Sequence, residues 1–483
     1  MQKKAAVLSV ILCGAFMLAP AGASANSGPA YVEQGPSFSV TPLKDCPITV
    51  EKEDLSFDFS GNKYVYSPTA AISAVYRMKN PTAQPQKVQM AFPLIARLRN
   101  MILKSNGEPS DVSAIPSITA DGQKIPFAIY PGDTIGAPAY THPGGTAYYS
   151  SGGDLNRTLL PGFESILKSI GTKKAVRNKL ADTGELFRIF ADRACSIQIK
   201  AGNSKTYLVG QNINGASSDG TSVTLDGWVH PPKDSAASVL VFGPPEITFG
   251  AFTNGGKPDN SAKLTKQRST VSTDSFFEEM LSGRYSPSTE YEKALLKNMV
   301  PLAENYAEKY FSEGNRAFME SSLYDFLDRD RLFVLTYEVE FPAGKEKTVA
   351  VSYSMNGMMD SLKTAAPLYT YGYLLNPAKG WASFRDLDIR IMPPEKAPYL
   401  VNSSLPLQRN EKGFYTASLA SLPEKDLTFS LYEKEKTEPK TFRQTNPWVD
   451  PLLGFVLPVA LLILVFHFLR KQMKADFKNG ESK

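Results

Sequence analysis

One apolar run constrains this chain more than any other feature. Residues 452–469 read LLGFVLPVALLILVFHFL, opening at Leu452 and closing at Leu469 without a formal charge. At ~1.5 Å rise per residue, such a run crosses most of a ~30 Å hydrocarbon core as a helix. Only Pro458 and His467 interrupt it. A proline is tolerated in a membrane helix where neighbours re-satisfy the freed carbonyl. The alternative is a buried core helix, and the text that follows argues against it. Arg470, Lys471, Lys474, Lys478 and Lys483 stand there against Asp476 and Glu481. This positive flank predicts a membrane span over 448–469 and a cytoplasmic tail over 470–483.

The opposite end reads as a leader. Lys3 and Lys4 precede an apolar run over residues 5–19, and Ala23-Ser24-Ala25 offers a small-residue cleavage site. The pattern predicts a signal peptide over 1–25, cut after Ala25. Lipidation at Cys13 is disfavoured, because Leu12 before it is bulky and the cysteine lies inside the apolar run. The expected topology is single-pass type I: ectodomain outside, short tail inside.

Charge then excludes a function class. The chain carries +5. The two leader lysines and a tail excess of three account for it, leaving the ectodomain near neutral. Nucleic-acid binding needs clustered basic surface, so it is not expected. Cys46 and Cys195 are the cysteines left in the ectodomain. In an oxidising compartment they predict a disulfide, which would staple the first strands to the middle of the chain.

Roughly 420 residues lie between leader and span, room for two or three domains. Residues 26–36 are small and polar, a predicted disordered lead. Alternation marks strands at Leu55, Phe57 and Phe59; at Ile72, Ala74, Tyr76 and Met78; and at Val88, Met90 and Phe92. Asp121-Gly122 reads as a hairpin tip. FESILKSI and ELFRIFADRA suggest a helical insertion near 159–193 within an N-terminal β-rich domain over 37–270. Residues 271–330 read as a helical segment, with Ser275 and Glu278 as a capping box and Pro301 as a kink or break. Strict alternation returns from Phe333, predicting a β-sandwich-like domain over 331–432. Residues 433–447 are charged, a predicted stalk. The fold class expected is mainly β with helical insertions (α+β): sandwich-like modules, a helical segment and one transmembrane helix.

Two stretches echo each other. Tyr76-x-Met78-x-x-Pro81 leads to Val88-x-Met90-x-Phe92; Tyr337-x-Val339-x-x-Pro342 leads to Val349-x-Val351-x-Tyr353. Tyrosine, proline and valine keep equal spacing, which suggests a duplicated hairpin module with each tyrosine on the core face.

The stretch Tyr371-x-Tyr373-Leu-Leu-x-Pro377-Ala-x-x-Trp381-x-x-Phe384-x-x-Leu387-Asp388-Ile389-x-Ile391, with the leader, β-rich ectodomain and terminal span, resembles a group of Gram-positive cell-surface proteins. The resemblance implies an envelope location and attaches no activity. The LPxTG signal of sortase substrates is absent, and Asn446-Pro447 does not replace it.

Chemistry-bearing text is sparse. His142 and His230 are the ectodomain histidines, and no GxSxG, HExxH, CxxC or Walker-type motif accompanies them. Zinc, nucleotide and other cofactors are not expected. Asp325, Asp328 and Asp330 are weak candidates for a cation, with Arg329 and Arg331 interleaved as self-pairing partners. Glu278 and Glu279 sit too close together to flank a sugar from both sides. Trp228 and Trp381 could stack on sugars but more often pack inside. The row Tyr369, Tyr371, Tyr373 reads as one sheet face. The expected function is a membrane-anchored extracytoplasmic binding or scaffold protein of the bacterial cell envelope, its partner an envelope protein or wall polymer. The alternative is an envelope hydrolase with dispersed carboxylates, which a deep pocket with two proton-holding carboxyls would favour.

Overall fold

The computed structural model describes residues 22–33, 39–43, 45–61, 68–102, 104–105, 108–109, 115–134, 140–141, 147–148, 177–231, 236–254, 256–329, 331–360, 364–440, 459 and 462–467. Its main body is a sandwich of two mixed sheets. The strands that organise it are β1 (Gly22–Ala25), β2 (Gly28–Glu33), β3 (Thr49–Asp58), β4 (Thr69–Lys79), β5 (Gln86–Ala96), β6 (Phe127–Thr134), β7 (Arg331–Phe341), β8 (Glu346–Asn356), β9 (Leu368–Leu374), β10 (Ser383–Met392) and β11 (Leu427–Tyr432). A ten-stranded sheet runs β6-β7-β5-β1-β9-β11 and ends on Tyr399–Ser403, with β2 added on β5. An eight-stranded sheet runs through Ser117–Ala120, β8, β4, β3, β10 and Tyr415–Ser421.

Edge-to-face aromatic pairs close the space between the sheets: Phe57 on Tyr373 and Phe429, Phe59 on Tyr371, Phe92 on Tyr353. Such pairs add ~0.5–1.5 kcal/mol each beyond their burial. The inward residues are those the alternation marked, from Ile72 and Tyr76 to Val349, Tyr371 and Ile389.

The division into N- and C-terminal β domains is overturned. β7 pairs antiparallel with β5 over eleven residues, and β8 pairs with β4 over eleven more. Strands from both ends of the chain therefore share each sheet and one core. Sequence pattern gives a strand its face but not its partner, so alternation alone could not show this.

The two echo stretches are not hairpins. β4 lies in one sheet and β5 in the other, and β7 and β8 divide likewise. Each is an arch across the sandwich, and the two arches pair with each other. Their turns dock side by side: buried Asn80 donates from Nδ2 to Phe341 O at 3.0 Å, and its N–H reaches Lys345 O at 3.0 Å. Tyr76 faces Val349, while Tyr337 faces Met90, two positions off strict equivalence.

The chain between β6 and β7 is an insertion. Thr134 pairs with Arg331, so the chain leaves and returns at one point. Within it a second sandwich forms from Thr183–Ala191, Ala237–Phe242, Tyr207–Gln211, Leu264–Ser272 and Ala317–Met319 on one side, and from Cys195–Ala201, Val223–Val229, Ile213–Ser218 and Ile247–Phe252 on the other. Among the described residues, three helices cover its outer face: α1 (Thr273–Tyr285), α2 (Glu290–Ser312) and α3 (Glu320–Leu327). They join it to the main body, where Asn298 Nδ2 donates to Ile129 O at 2.8 Å and Tyr291 packs on Phe127. Glu308 of α2 accepts from the backbone N–H groups of Asn178, Lys179 and Leu180 at 2.9–3.1 Å, fixing the chain that enters the module.

The helical reading of ELFRIFADRA is wrong: Thr183–Ala191 is a strand between two partners. Leu186 faces the helices and Phe187 and Ile189 face the second sheet, so both faces are apolar and mimic a helical stripe. FESILKSI lies outside the described residues. The predicted disordered lead is likewise corrected over its described part, since β2 is a strand and residues 26–30 are buried. α1 starts three residues before the predicted box, capped by Ser272, whose side chain accepts from Ser275 N. The true capping box is Thr289 with Glu292 on α2. Pro301 does not divide α2, which runs unbroken through it. Asp121 (φ 48°) and Gly122 (φ 79°) form the hairpin tip as expected; both central residues are left-handed, as a type I′ turn requires.

The predicted disulfide is absent. Cys46 and Cys195 are both free and buried, Cys46 in the main core and Cys195 in the core of the inserted sandwich. They belong to different packing units, so no bridge staples 46 to 249 into one. The start of the predicted stalk is docked rather than extended: Ala365 N donates to Glu438 O at 2.7 Å.

Among the described residues no helix is long and apolar enough to cross a membrane. Leu452, Pro458 and Leu469 lie outside those residues. Val459 and residues 462–467 are helical, and Leu462, Ile463, Leu464 and Phe466 leave 63–68% of their surface exposed.

Candidate functional site: a polar cleft on the eight-stranded sheet

The outer face of the eight-stranded sheet carries a cleft of about 500 Å³. β3, β4, β10 and Tyr415–Ser421 lie side by side beneath it, and their register builds two rungs. One reads Val75, Asp54, Asp388, Ser418; the next reads Ser73, Ser56, Arg390, Thr416. Small side chains at Ser56 and Ser73 leave the floor open, while Asp54 and Arg390 stand exposed.

Lys52 holds the charged end. Its Nζ lies 3.0 Å from Asp54 Oδ1 and 2.8 Å from Asp388 Oδ2. Ser418 Oγ donates to Asp388 Oδ1 at 2.6 Å. Hydrogen bonds to Asp388 and Asp54 hold the Lys52 ammonium above its ordinary value. Those from Lys52 and Ser418 hold the Asp388 carboxyl below its own. Both stay charged across the neutral range, which suits holding a polar ligand and not donating a proton.

A β-bulge sets this geometry. Alternation on β3 breaks between Val50 and Lys52, so Val50 and Glu53 both face the core, three residues apart. The extra residue turns Lys52 to the cleft and drives the next carboxylate inward.

Glu53 is fully buried between the sheets. It accepts from Asn26 Nδ2 at 2.7 Å and from Tyr373 Oη at 3.5 Å. Tyr76 Oη donates to Asn26 Oδ1, and Trp381 Nε1 donates to Ser27 O at 2.9 Å. Burial pushes the Glu53 carboxyl up to about 8, against which its hydrogen bonds pull only partly. Burial likewise raises Glu304 of α2 to about 7, although Arg177 Nη2 donates to it at 2.7 Å. These two proton-holding carboxyls sit in separate units, and neither lines the cleft.

The sequence-derived candidates do not assemble. Asp325 is exposed, Asp328 accepts from Tyr285 Oη at 3.2 Å, and Asp330 lies outside the described residues. No group of three metal-ligating side chains occurs among the described residues. Glu278 is exposed, and Glu279 pairs with Arg188 at 2.5 Å. Trp381 is interior, Trp228 is half-buried beside His230, and His142 lies outside the described residues. Tyr371 and Tyr373 face the core and Tyr369 is half-buried. Sequence reading missed Lys52, Asp54 and Ser418. The available signal was a charged triplet, Lys52-Glu53-Asp54, at the head of an alternating strand.

No protein-family profile and no curated protein matches this chain. Among solved structures, the chain is similar to one from Legionella pneumophila described as a "putative nutrient binding protein". The likeness has 9% identity and a TM-score of 0.30, over 86% of this chain and 72% of that one. A likeness that remote says nothing of this chain's fold or function.

Proposed function

We propose that this chain is an extracytoplasmic binding or scaffold protein of the bacterial cell envelope, anchored by residues 452–469, that takes a polar envelope ligand in the cleft above Lys52. One observation carries the reading: the cleft presents fixed charges of both signs beside unfilled serine floor positions, on a rigid sheet rather than a loop. Rigid elements hold polar contacts more accurately than loops do. Apolar residues exposed on the described turns of the predicted span favour a membrane or protein cover for them.

The hydrolase reading has less support. It needs a carboxyl that keeps its proton beside a second carboxylate in one pocket. The cleft's Asp388 is instead held ionised, and the proton-holding Glu53 and Glu304 lie away from it.

Binding is tested with the anchored protein in intact cells. Cross-linking followed by capture should recover a wall-polymer fragment or an envelope protein. Ser73→Trp, which fills the floor, and Lys52→Ala should each reduce recovery at least tenfold with unchanged thermal unfolding. Recovery unaffected by both substitutions removes the cleft as the site.

A further inference from the structure

We propose that the leader is cut after Ala21, not after Ala25, so that Gly22–Ala25 stays with the mature chain as a structural strand. β1 is the strand between β5 and β9 in the ten-stranded sheet. It pairs in parallel with β9, Gly22 facing Tyr371 and Ala25 facing Leu374, and meets β5 at Ser24 and Leu94. The sheet's two halves, β6-β7-β5 on one side and β9-β11 on the other, are joined through it.

Removing β1 is costly for a specific reason. Residues 371–374 are buried; β1 pairs with all four on one side, and β11 pairs with 371–373 on the other. Buried backbone groups are almost always paired, because no water reaches them once a partner is lost. The chain that follows is equally interior. Asn26 and Ser27 are both fully buried, and Asn26 N donates to Leu374 O at 2.5 Å. A cut after Ala25 would leave a new ammonium at that buried position and also empty the β1 slot. Burying a charge is favourable only where a partner and further hydrogen bonds meet it.

The sequence offers a second site upstream. Ala19-Pro20-Ala21 has the same small-x-small pattern as Ala23-Ser24-Ala25 and stands at the end of the apolar run. The reaction is hydrolysis by a membrane leader peptidase. Water adds across the Ala21–Gly22 amide, leaving a carboxylate on Ala21 and an ammonium on Gly22.

This rests on the exported reading, and one measurement separates the two. Intact mass and amino-terminal sequencing of the protein purified from cell membranes should show a chain starting at Gly22. A start at Asn26 overturns the proposal and leaves export intact; it would make the Asn26 ammonium a partner for the buried Glu53. A start at Met1 overturns both. Ala25→Gln should still be cut before Gly22, whereas Ala21→Gln should lose that cut. Processing read by mass does not depend on the fold of the variant. As a second check, chains released from a cleavable fusion to start at Gly22 or at Asn26 are compared by thermal unfolding. The Gly22 chain should melt at clearly higher temperature, and equal melting would remove the structural role of β1.

Discussion

The hydroxyls of Tyr76 and Tyr337, on strands of opposite sheets, both reach Ser27. Tyr76 Oη accepts from the Ser27 backbone N–H at 3.2 Å, and Tyr337 Oη lies 2.6 Å from Ser27 Oγ. The two echo tyrosines thus converge on a residue from the chain's first described segment. Tyr76 also lies 3.3 Å from Tyr373 Oη, so the network links both arches, the amino-terminal segment and β9. Polar groups buried this deeply specify one arrangement, because each alternative leaves some of them unpaired.

Tyr76→Phe and Tyr337→Phe should each destabilise by about 1–3 kcal/mol, the cost of leaving a buried partner unmet. Tyr76→Ala and Tyr337→Ala should each cost roughly 3–5 kcal/mol, as aromatic truncations in cores do. Urea unfolding of the two Phe variants and their double gives the coupling. Because both touch Ser27, it should exceed about 0.5 kcal/mol. Strict additivity would show that the hydroxyls do not share a network.

Glu53 should make stability fall as pH rises through the neutral range. Its carboxyl titrates at about 8 when folded, against an ordinary 4.5. Between those values the folded protein holds a proton that the unfolded chain has released. The contribution is therefore fully present below about pH 4.5 and is lost as pH approaches 8. Glu53→Gln keeps the side chain uncharged and should flatten this part of the stability–pH curve. An identical pH dependence in wild type and Glu53→Gln would remove Glu53 as its source.

The Cys46 and Cys195 thiols should be free and slow to react. Burial pushes the Cys46 and Cys195 thiols up, which lowers the fraction present as reactive thiolate. Alkylation without reductant should label neither in the native protein and both in denaturant. Protection that persists in denaturant until reductant is added would restore the bridge that the separate cores argue against.

Pro301→Ala should stabilise the protein. Proline in a helix interior removes one hydrogen bond and crowds the carbonyl four residues back, at a cost of up to about 3 kcal/mol. Here that carbonyl belongs to Lys297, which is exposed, so water can reach it and the helix continues. Alanine at this half-buried position restores the bond, and a rise in unfolding midpoint is expected. A drop would mean that the ring itself packs productively.

Periodicity in the sequence determined which face of each strand is buried. Tyr76, Val349, Tyr371 and Ile389 could be placed inside from alternation, because side chains on a strand point to alternate faces whatever the strand pairs with. The Asp121-Gly122 turn was readable because few residues accept its left-handed backbone. Tertiary structure decided the rest. Pairing of β7 with β5 and of β8 with β4 brings together residues far apart in the chain, and no local pattern records such a partner. Thr183–Ala191 read as a helix because it is covered on both faces, and its neighbours alone reveal that. The cleft arises from a bulge between Val50 and Lys52 and from the register that sets Asp54 beside Asp388. Glu53 shows the limit most clearly: in sequence it is the middle of a charged triplet that belongs on a surface. One extra residue in the strand turns it inward, and Asn26 and Tyr373 make that burial tolerable.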